Sequence, residues 1–522
     1  MKKIWLVSAL LVIMFASLGL YQLSQKNKPH ESSVNDIQPQ METLTTVFSL
    51  RPSLTFKNGE GIENNIHTRM VRDDLGIDLQ YLWTAPDSTF STKLKLQLLN
   101  KREMPDIVPV RTDVIHQLID SGQFMAVDDL FEKYASPVWK EAMNENSSVW
   151  YPYERSGRHY AIPILDYDYN SDPMMWIRED WLEQVELPAP STLNELDQVL
   201  EAFTYQDPDG NGKHDTYGIA VSLGSAISTW MADISWVFGM YGCLPEQWNF
   251  CDNPNQLEFG SVQASTKLGL MKLKEWREAG YFPNEALWQD EEAAARLFSQ
   301  GKAGIVVGPH WMRFWPLNGL TENNPEARFV AIPLPKGPSG ASYHRASPPR
   351  NGAVLINKDN PNPEIFFRYM NYLYDTQGLG KGEYAFGMAR DYDYTIINGT
   401  PSIDRDLIPG GYVDISAYTL TYDGARIPSH WQGMIENEEK HVLTQLFSSR
   451  LPNEFQGPPT PTMQEKGDQL QQTEHETFLQ IIYGKKDIAY FEEFVANWKE
   501  SGGDQMTMEV NAWYQSVHGT SK

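Results

Sequence analysis

The apolar and polar positions of the first hundred residues follow a pattern that predicts a strand, a helix and a second strand. Residues 46–51 and 76–83 have the composition of strands, and residues 64–75 between them have helical spacing. Two consecutive strands joined through a helix pair in parallel, because a tight hairpin turn joins only antiparallel strands. The pattern therefore predicts an α/β architecture that begins with a β-α-β unit.

Strand-like and helical segments continue to alternate through the rest of the chain. Apolar strand candidates recur at residues 104–110, 159–165, 298–308, 328–335 and 352–357. Helical spacing of apolar residues predicts helices at residues 114–120, 266–279 and 363–373. Another helix is expected to begin at Thr192, whose hydroxyl group forms a capping box with Glu195. The C-terminal segment 477–514 is predicted to be helical, with breaks at Gly484 and at Gly502-Gly503.

Length and charge limit the classes of protein that fit this pattern. The 522 residues exceed what one compact core holds, so two or three domains are expected. The 43 basic and 68 acidic residues give a net charge of -25. Nucleic-acid binding needs clustered Lys and Arg, so the charge argues against a nucleic-acid partner. Its simplest explanation is a well-solvated surface.

The first residues have the composition of an export segment. Lys2-Lys3 precedes an almost wholly apolar stretch at residues 4–20. We interpret residues 1–30 as a signal peptide or as an uncleaved N-terminal membrane anchor, and residues 31–41 as a flexible tether. No cysteine occurs in residues 1–40, which excludes ordinary lipidation there. The protein is therefore expected outside the cytoplasmic membrane, at the cell surface or anchored to the membrane. There, Cys243 and Cys251 are close enough in sequence for a local disulfide.

One loop, at residues 207–215, carries a recognisable metal-ligand spacing. Oxygen-bearing side chains fall at loop positions 1, 3, 5 and 9, and a glycine, Gly212, lies at position 6. The side-chain ligands are Asp207, Asp209, Asn211 and Asp215, and Lys213 offers its backbone carbonyl at position 7. Calcium takes six to eight such oxygens.

The match to an EF-hand loop is incomplete. Position 12 is Gly218, where an EF-hand has a bidentate Glu, so the site needs another ligand such as the Thr216 hydroxyl group. The hypothesis is a structural Ca²⁺ that does not touch the protein's ligand. The alternative is an Asn/Asp/Gly-rich surface turn without an ion.

Three segments around this loop carry a family resemblance: residues 176–182, residues 190–196, and the loop itself running into Gly218. Together they resemble the large extracellular solute-binding proteins of carbohydrate ABC importers. The loop is similar to that of the alginate-oligosaccharide-binding proteins and their lipoprotein relatives in Gram-positive bacteria. The resemblance implies a periplasmic-binding-protein type II fold, with two α/β lobes joined by a multi-strand hinge.

In that family the chain crosses between the lobes several times. The resemblance places the crossings at residues 159–165, 298–308 and 352–357. It assigns residues 42–165 plus 309–350 to the first lobe, and residues 166–308 plus 351–522 to the second. The segment 328–335 is then a strand of the first lobe, and the ligand lies in the cleft between the lobes.

Aromatic residues make up 12% of the chain and suit the binding of sugars, whose rings have apolar faces and polar rims. The residues expected in or near the cleft are Asp166, Tyr167, Tyr169, Trp230, Trp236, Trp311, Arg345 and Trp431. Each has a simpler alternative: buried aromatic residues usually form the core, and Asp166 also fits a solvated turn.

Two functions from different classes are compatible with these sequence features. The favoured one is a monomeric receptor, not an enzyme, that binds an oligosaccharide and delivers it to an ABC permease. The alternative is a secreted or anchored carbohydrate-active hydrolase, since a glycosidase needs only two carboxylates. The chain has no nucleophile elbow, zinc-protease helix or phosphate-binding lysine loop, and this favours the receptor.

Overall fold

We describe the protein by a computed structural model, which covers residues 41–100, 102–224, 226–432 and 437–519. The predicted signal peptide or anchor and the tether up to residue 40 lie outside these residues. Within the described ranges, no helix combines the length and apolar character needed to cross a membrane.

The strands are mostly short. They are β1 (Glu42–Leu50), β2 (Ile77–Pro86), β3 (Ile107–Val110), β4 (Glu154–Arg155), β5 (Arg158–His159), β6 (Ile162–Leu165), β7 (Met174–Arg178), β8 (Tyr217–Ala220), β9 (Trp248–Asn249), β10 (Glu258–Phe259), β11 (Ala303–Gly308), β12 (Phe329–Ile332), β13 (His344–Arg345), β14 (Arg350–Ile356), β15 (Thr395–Ile397), β16 (Thr400–Ser402) and β17 (Arg450–Leu451).

The α-helices surround these strands. They are α1 (Ile66–Leu75), α2 (Asp87–Leu99), α3 (Val114–Asp120), α4 (Asp128–Tyr134), α5 (Pro137–Asn144), α6 (Glu179–Gln184), α7 (Leu193–Tyr205), α8 (Trp236–Gly239), α9 (Ala264–Glu278), α10 (Glu291–Ser299), α11 (Asn318–Asn323), α12 (Glu364–Leu373), α13 (Pro428–Gln432), α14 (Asn437–Leu446), α15 (Pro461–Ile482), α16 (Tyr490–Trp498) and α17 (Asp504–His518).

The first lobe begins with the predicted β-α-β unit. Strands β1 and β2 pair in parallel, with Glu42 opposite Ile77, and α1 connects them. A second sheet has the order β3-β14-β6, with both pairs antiparallel. Gly352 sits at the start of β14, where a Cβ atom would lie 2.2 Å from the Val110 carbonyl oxygen, so only glycine allows this close approach of the strands.

The second lobe is built on a four-stranded sheet of order β12-β7-β11-β8. Strand β11 pairs with β7 antiparallel and with β8 in parallel, and all of its residues are buried. Helix α7 packs on this sheet and begins at the predicted capping box: the Thr192 hydroxyl accepts from the Glu195 N–H. The C-terminal helices α15, α16 and α17 place Phe478, Phe494 and Val510 in the same core. The helices are interrupted at Gly484 and at Gly502-Gly503, as the sequence predicted.

The strand pairing differs from the predicted division into lobes. Strand β12 pairs with β7 and belongs to the second lobe, not the first. Strand β14 lies between β3 and β6, so it and α12 belong to the first lobe, not the second. Residues 298–308 were predicted to cross between lobes, but β11 is the interior of the second sheet. An apolar segment indicates that a strand is buried, but not which sheet edge it joins.

The chain passes between the lobes in other places. Residues 166–173 connect β6 to β7, and residues 333–349 connect β12 to β14. The first core ends at Ile427, and α14 contributes Val442 and Leu443 to the second core, so a third connection lies between them. Two α/β lobes joined by several segments are thus confirmed.

Candidate functional site

The connection at residues 166–173 begins with a buried ion pair. Asp166 is 3% exposed, and its Oδ1 atom accepts hydrogen bonds from the Arg426 guanidinium at 2.6 Å and from the Tyr167 N–H at 2.9 Å. Its Oδ2 atom accepts from the Asn170 side chain at 2.7 Å. Protein donors therefore occupy this carboxylate. Asp166 anchors the connection, which corrects its predicted role as an acceptor for ligand hydroxyl groups.

Arg426 binds the first lobe to this connection. Its guanidinium group also lies 3.6 Å from Asp423, which lies 3.4 Å from Arg51. Burial disfavours the charge on Arg426, but the carboxylates of Asp423 and Asp166 outweigh it and raise the Arg426 pKa. The Arg426 guanidinium therefore stays charged, although burial raises the pKa of its partner Asp166. The ion pair fixes the position of the aromatic residues that pack against it.

Two of the predicted aromatic residues stack on each other beside this cluster. The ring centroids of Tyr167 and Trp431 are 5.7 Å apart, with planes inclined by 14°. The Tyr167 hydroxyl contacts the His310 Nε2 atom at 3.2 Å, and the Arg426 guanidinium lies 5.4 Å from the Tyr167 ring. Burial, together with Arg426, lowers the His310 pKa to about 4, so this imidazole is neutral at pH 7. Tyr167 is 5% exposed, whereas Trp431 is partly exposed. The buried Tyr167 ring therefore packs against one face of the Trp431 ring.

A second aromatic pair lies next to the first. Trp311 follows His310 directly, and its ring centroid is 6.2 Å from that of Trp230, at an angle of 49°. The Trp311 indole N–H donates to the Asn170 carbonyl at 2.7 Å, which holds this ring on the connection. Trp230 is 37% exposed. Trp230, Trp311 and Trp431 are therefore a group of partly exposed indoles near the junction of the lobes, in which Tyr167 and His310 connect Trp431 to the Trp230–Trp311 pair.

Trp236 does not belong to this group. It is fully buried in the second core, packs 6.1 Å from Trp276 and donates its indole N–H to the Asp233 carbonyl at 3.0 Å. Its position as the first residue of the buried helix α8 explains this. The prediction that Trp236 contacts ligand is wrong, because no face of its ring is accessible.

The remaining predicted residues, Tyr169 and Arg345, both take part in interactions of an arginine side chain. The Arg450 guanidinium lies 4.7 Å from the Tyr169 ring centroid, and its Nε atom is 2.6 Å from Asp172. Arg345 donates to the Thr229 carbonyl and lies 3.6 Å from Asp233. Arg345 is thus paired within the protein, and its contact with ligand stays a prediction. Tyr169 is partly buried beneath Arg450.

Sequence reasoning missed three contributors to this site: Arg426, Arg450 and His310. The two arginines lie far from Asp166 and Asp172 in sequence, and no local spacing connects them. His310 had a visible signal, because it lies between the apolar strand β11 and Trp311.

A cavity of about 500 Å³ lies elsewhere, in the first lobe beside Asp106 and Asn360. It lies beyond the amino end of β3, opposite the edge at which Val110 ends that strand. Ligand sites occur preferentially at interfaces between domains, whereas every residue that lines this cavity belongs to the first lobe. The indole group at the junction is therefore the better candidate site.

The predicted calcium loop is an exposed turn whose carboxylates point inward. Asp207 accepts from the Asn211 and Gly212 backbone N–H groups at 3.1 and 2.9 Å. The Asn211 side-chain amide donates to Asp209 at 2.7 Å and to Asp215 at 3.1 Å. Gly212 has the predicted left-handed conformation, with φ 75°.

The charges of this loop favour a cation. Burial and the neighbouring carboxylates of Asp207 and Asp215 raise the Asp209 pKa. Lys302 neutralises only Asp215, at 2.6 Å. The donor types and the excess negative charge fit calcium, although no cluster of three His, Cys, Asp or Glu side chains within the described ranges is arranged to hold a metal ion. The Asn211 amide group would have to turn its oxygen inward.

Two further positions of the loop limit its ligand set. The Thr216 hydroxyl is buried and donates to the Phe203 carbonyl at 2.8 Å, so it ties the loop to α7 and is not directed at an ion. This corrects its predicted role as a ligand. A Cβ atom at Gly218 would lie 2.9 Å from Leu200, which explains why position 12 has no Glu. The Lys213 N–H donates to the Asn211 side chain at 2.8 Å, and its carbonyl remains a predicted ligand.

Comparisons with known proteins agree with this architecture. The family model for bacterial extracellular solute-binding proteins matches residues 68–379. The polygalacturonan/rhamnogalacturonan-binding protein YtcQ of Bacillus subtilis (strain 168) is 24% identical over 84% of this chain and 86% of its own.

Two solved structures share the fold. The substrate-binding protein FusA of S. pneumoniae in complex with kestose has a TM-score of 0.69 at 18% identity, covering 92% of this chain and 100% of its own. The alginate-binding protein AlgQ2 without calcium ion has a TM-score of 0.69 at 17% identity, covering 91% and 98%. The likeness confirms the type II periplasmic-binding-protein fold.

Proposed function

Because the chain belongs to the bacterial extracellular solute-binding proteins, we propose that it binds an oligosaccharide between its lobes and delivers it to an ABC permease. The observation that carries this proposal is the group of three partly exposed indoles, Trp230, Trp311 and Trp431, at the junction of the lobes. Indole faces suit the apolar faces of sugar rings. A binding protein of this fold closes about a hinge when it takes up ligand.

The relatives support a carbohydrate as the ligand. YtcQ is named for binding polygalacturonan and rhamnogalacturonan, and FusA was solved with kestose. These two ligand types differ in charge. The arginines at the junction are mostly matched by carboxylates, as Arg426 is by Asp166 and Asp423. A balanced site of this kind favours a neutral oligosaccharide over a polyanion.

Isothermal titration calorimetry with kestose and with trigalacturonate tests the proposal. We expect saturable one-to-one binding, tighter for kestose than for trigalacturonate. The matched control is Trp513→Ala, which removes a partly exposed tryptophan on α17 that packs on Phe455, 4.9 Å away. Trp513→Ala should leave the affinity unchanged. Absence of binding in the unmodified protein, or loss of affinity in this control, would count against the site.

The receptor is proposed to be an extracytoplasmic monomer without catalytic activity. The matching family is extracellular, and the relatives are named for binding, not for cleavage. This supports the receptor over the hydrolase alternative. Mass spectrometry of oligosaccharides after overnight incubation with the protein should therefore find every sugar intact.

We propose in addition that the loop at residues 207–215 takes up a structural Ca²⁺. Carboxylates of Asp207, Asp209 and Asp215 and the side-chain oxygen of Asn211 would hold it. Bound there, the ion would offset the negative charge of the loop and secure the connection between α7 and β8. AlgQ2, which shares the fold, was solved in a form described as lacking calcium.

A further inference from the structure

The segment that carries Trp230 has an unusual set of backbone partners. Residues 227–231 form neither helix nor strand, yet five successive N–H groups there all donate to carboxylates. The Ile227 and Ser228 N–H groups donate to Glu246, one to each of its two carboxylate oxygens, both at 3.0 Å.

Two other carboxylates accept the next three N–H groups. Thr229 donates to the Asp233 Oδ1 atom at 3.2 Å. Trp230 and Met231 donate to a single oxygen of Glu291, Oε2, at 2.6 and 3.0 Å. These carboxylates therefore replace the ladder that a strand would supply.

The acceptor side of the segment is also occupied. The Thr229 carbonyl accepts from Arg345, which lies 3.6 Å from Asp233 and offsets its charge. A Cβ atom at Gly308 would lie 3.0 Å from the Trp230 carbonyl oxygen, so the segment packs directly on the end of β11. Trp311 follows three residues after that strand end. These contacts fix the backbone of residues 227–231 on both sides. The fixed backbone places the Trp230 ring beside Trp311.

We propose that Glu246, Asp233 and Glu291 are positioning residues that hold residues 227–231 rigid and thereby fix Trp230 beside Trp311 as a preformed stacking surface for sugar. The role of this surface in binding rests on the proposed function, whereas the rigidity of the segment does not. Preorganisation lowers the entropic cost of binding, because the ring is already ordered before the ligand arrives. The three carboxylates act through the backbone and do not touch the ligand.

The geometry distinguishes the two glutamates in a testable way. Glu291 uses one oxygen for both N–H groups, so Glu291→Gln keeps an acceptor where it is needed. Glu246 uses both oxygens, so Glu246→Gln sets an amide group against one N–H group and loses that bond. Glu292, the neighbour of Glu291 on α10, pairs with Arg296 at the surface and provides the control.

Hydrogen exchange followed by mass spectrometry, on the full protein without ligand, measures the segment directly. In Glu291→Ala we expect exchange in peptides covering residues 227–231 to accelerate at least tenfold, while β11 at 303–308 stays protected. Glu246→Gln should accelerate exchange in the same peptides. Glu291→Gln and Glu292→Ala should remain close to the unmodified protein. If Glu291 only stabilised the fold in general, Glu291→Ala would accelerate exchange beyond residues 227–231. Slow exchange in Glu291→Gln would then not be expected either.

Affinity for kestose, measured by calorimetry, should then fall at least tenfold in Glu291→Ala and less than threefold in Glu291→Gln. The positioning role would be overturned if residues 227–231 exchanged as slowly in Glu291→Ala as in the unmodified protein. It would also be overturned if the Ala and Gln variants of Glu291 exchanged at equal rates. Faster exchange with unchanged kestose affinity would overturn the link to binding. If the unmodified protein binds no kestose, the proposed function fails for this sugar, and exchange alone decides whether the carboxylates hold Trp230.

Discussion

Replacing two tryptophans by alanine, one at a time, separates the candidate site from the core. Trp236 is fully buried in the second lobe, whereas Trp431 is partly exposed and stacks on Tyr167 at 5.7 Å. Both were expected near ligand from the sequence. The structure gives them different roles, so the two variants should fail in different ways.

The expected magnitudes follow from burial. Removing a core tryptophan such as Trp236 costs about 3–5 kcal/mol of unfolding free energy, since it loses packing and leaves a cavity. Trp431→Ala loses one aromatic pair, which contributes about 0.5–1.5 kcal/mol beyond the area it buries. If Trp431 stacks on sugar, its loss should weaken binding by about 2 kcal/mol or more. That loss is roughly 30-fold in Kd.

Urea denaturation without ligand, beside calorimetric titration of the folded protein, measures both quantities. Trp431→Ala should be nearly as stable as the unmodified protein but bind weakly. Trp236→Ala should lose more stability than affinity. The reasoning is refuted if Trp431→Ala loses several kcal/mol of stability and keeps full affinity, because Trp431 would then be a core residue. A stable Trp236→Ala that no longer binds would refute the core assignment.

Three further expectations concern stability. A calcium chelator should lower the melting temperature and Asp209→Ala should copy that effect; an unchanged melting curve, with no calcium in the purified protein, would contradict the structural ion. Burial lowers the His67 pKa from 6.5 to about 4, so the unfolded state binds this proton first as the pH falls. The neutral His67 side chain therefore stabilises the fold above pH 6.5, and this contribution is lost between about pH 6.5 and 4. At pH 5 the loss is about 2 kcal/mol, so the free energy of unfolding should fall less between pH 7.5 and 5 in His67→Gln than in the unmodified protein. The predicted disulfide is formed between Cys243 and Cys251, and replacing both by serine should cost about 2–3 kcal/mol in denaturant titrations, the chain-entropy value for so short a loop; equal midpoints would refute it.

Local patterns in the sequence predicted the local structure well. The capping box at Thr192, the helix at residues 114–120 and the breaks near Gly484 and Gly502 depend only on neighbours along the chain, and all are found. The β-α-β beginning follows from the same kind of information.

Lobe membership and partner choice could not be predicted in this way. Strands β12 and β14 read alike as apolar segments, and only the sheet edge each one joins assigns it to a lobe. The local sequence likewise does not show whether Trp236 or Trp311 is buried. Long-range packing buries Trp236, whereas Asn170 holds Trp311 at the junction. Arg426 reaches Asp166 across 260 residues, a contact that no spacing rule reveals.

Native mass spectrometry of the purified protein in a mixture of oligosaccharides tests the central claim most directly. The mixture should contain kestose and other neutral oligosaccharides beside trigalacturonate. We predict a one-to-one adduct whose mass equals that of an intact sugar, present in the unmodified protein and in Trp513→Ala and strongly reduced in Trp431→Ala. The absence of any adduct, or adducts that carry only shortened sugars, would contradict the proposal that this chain is an oligosaccharide receptor.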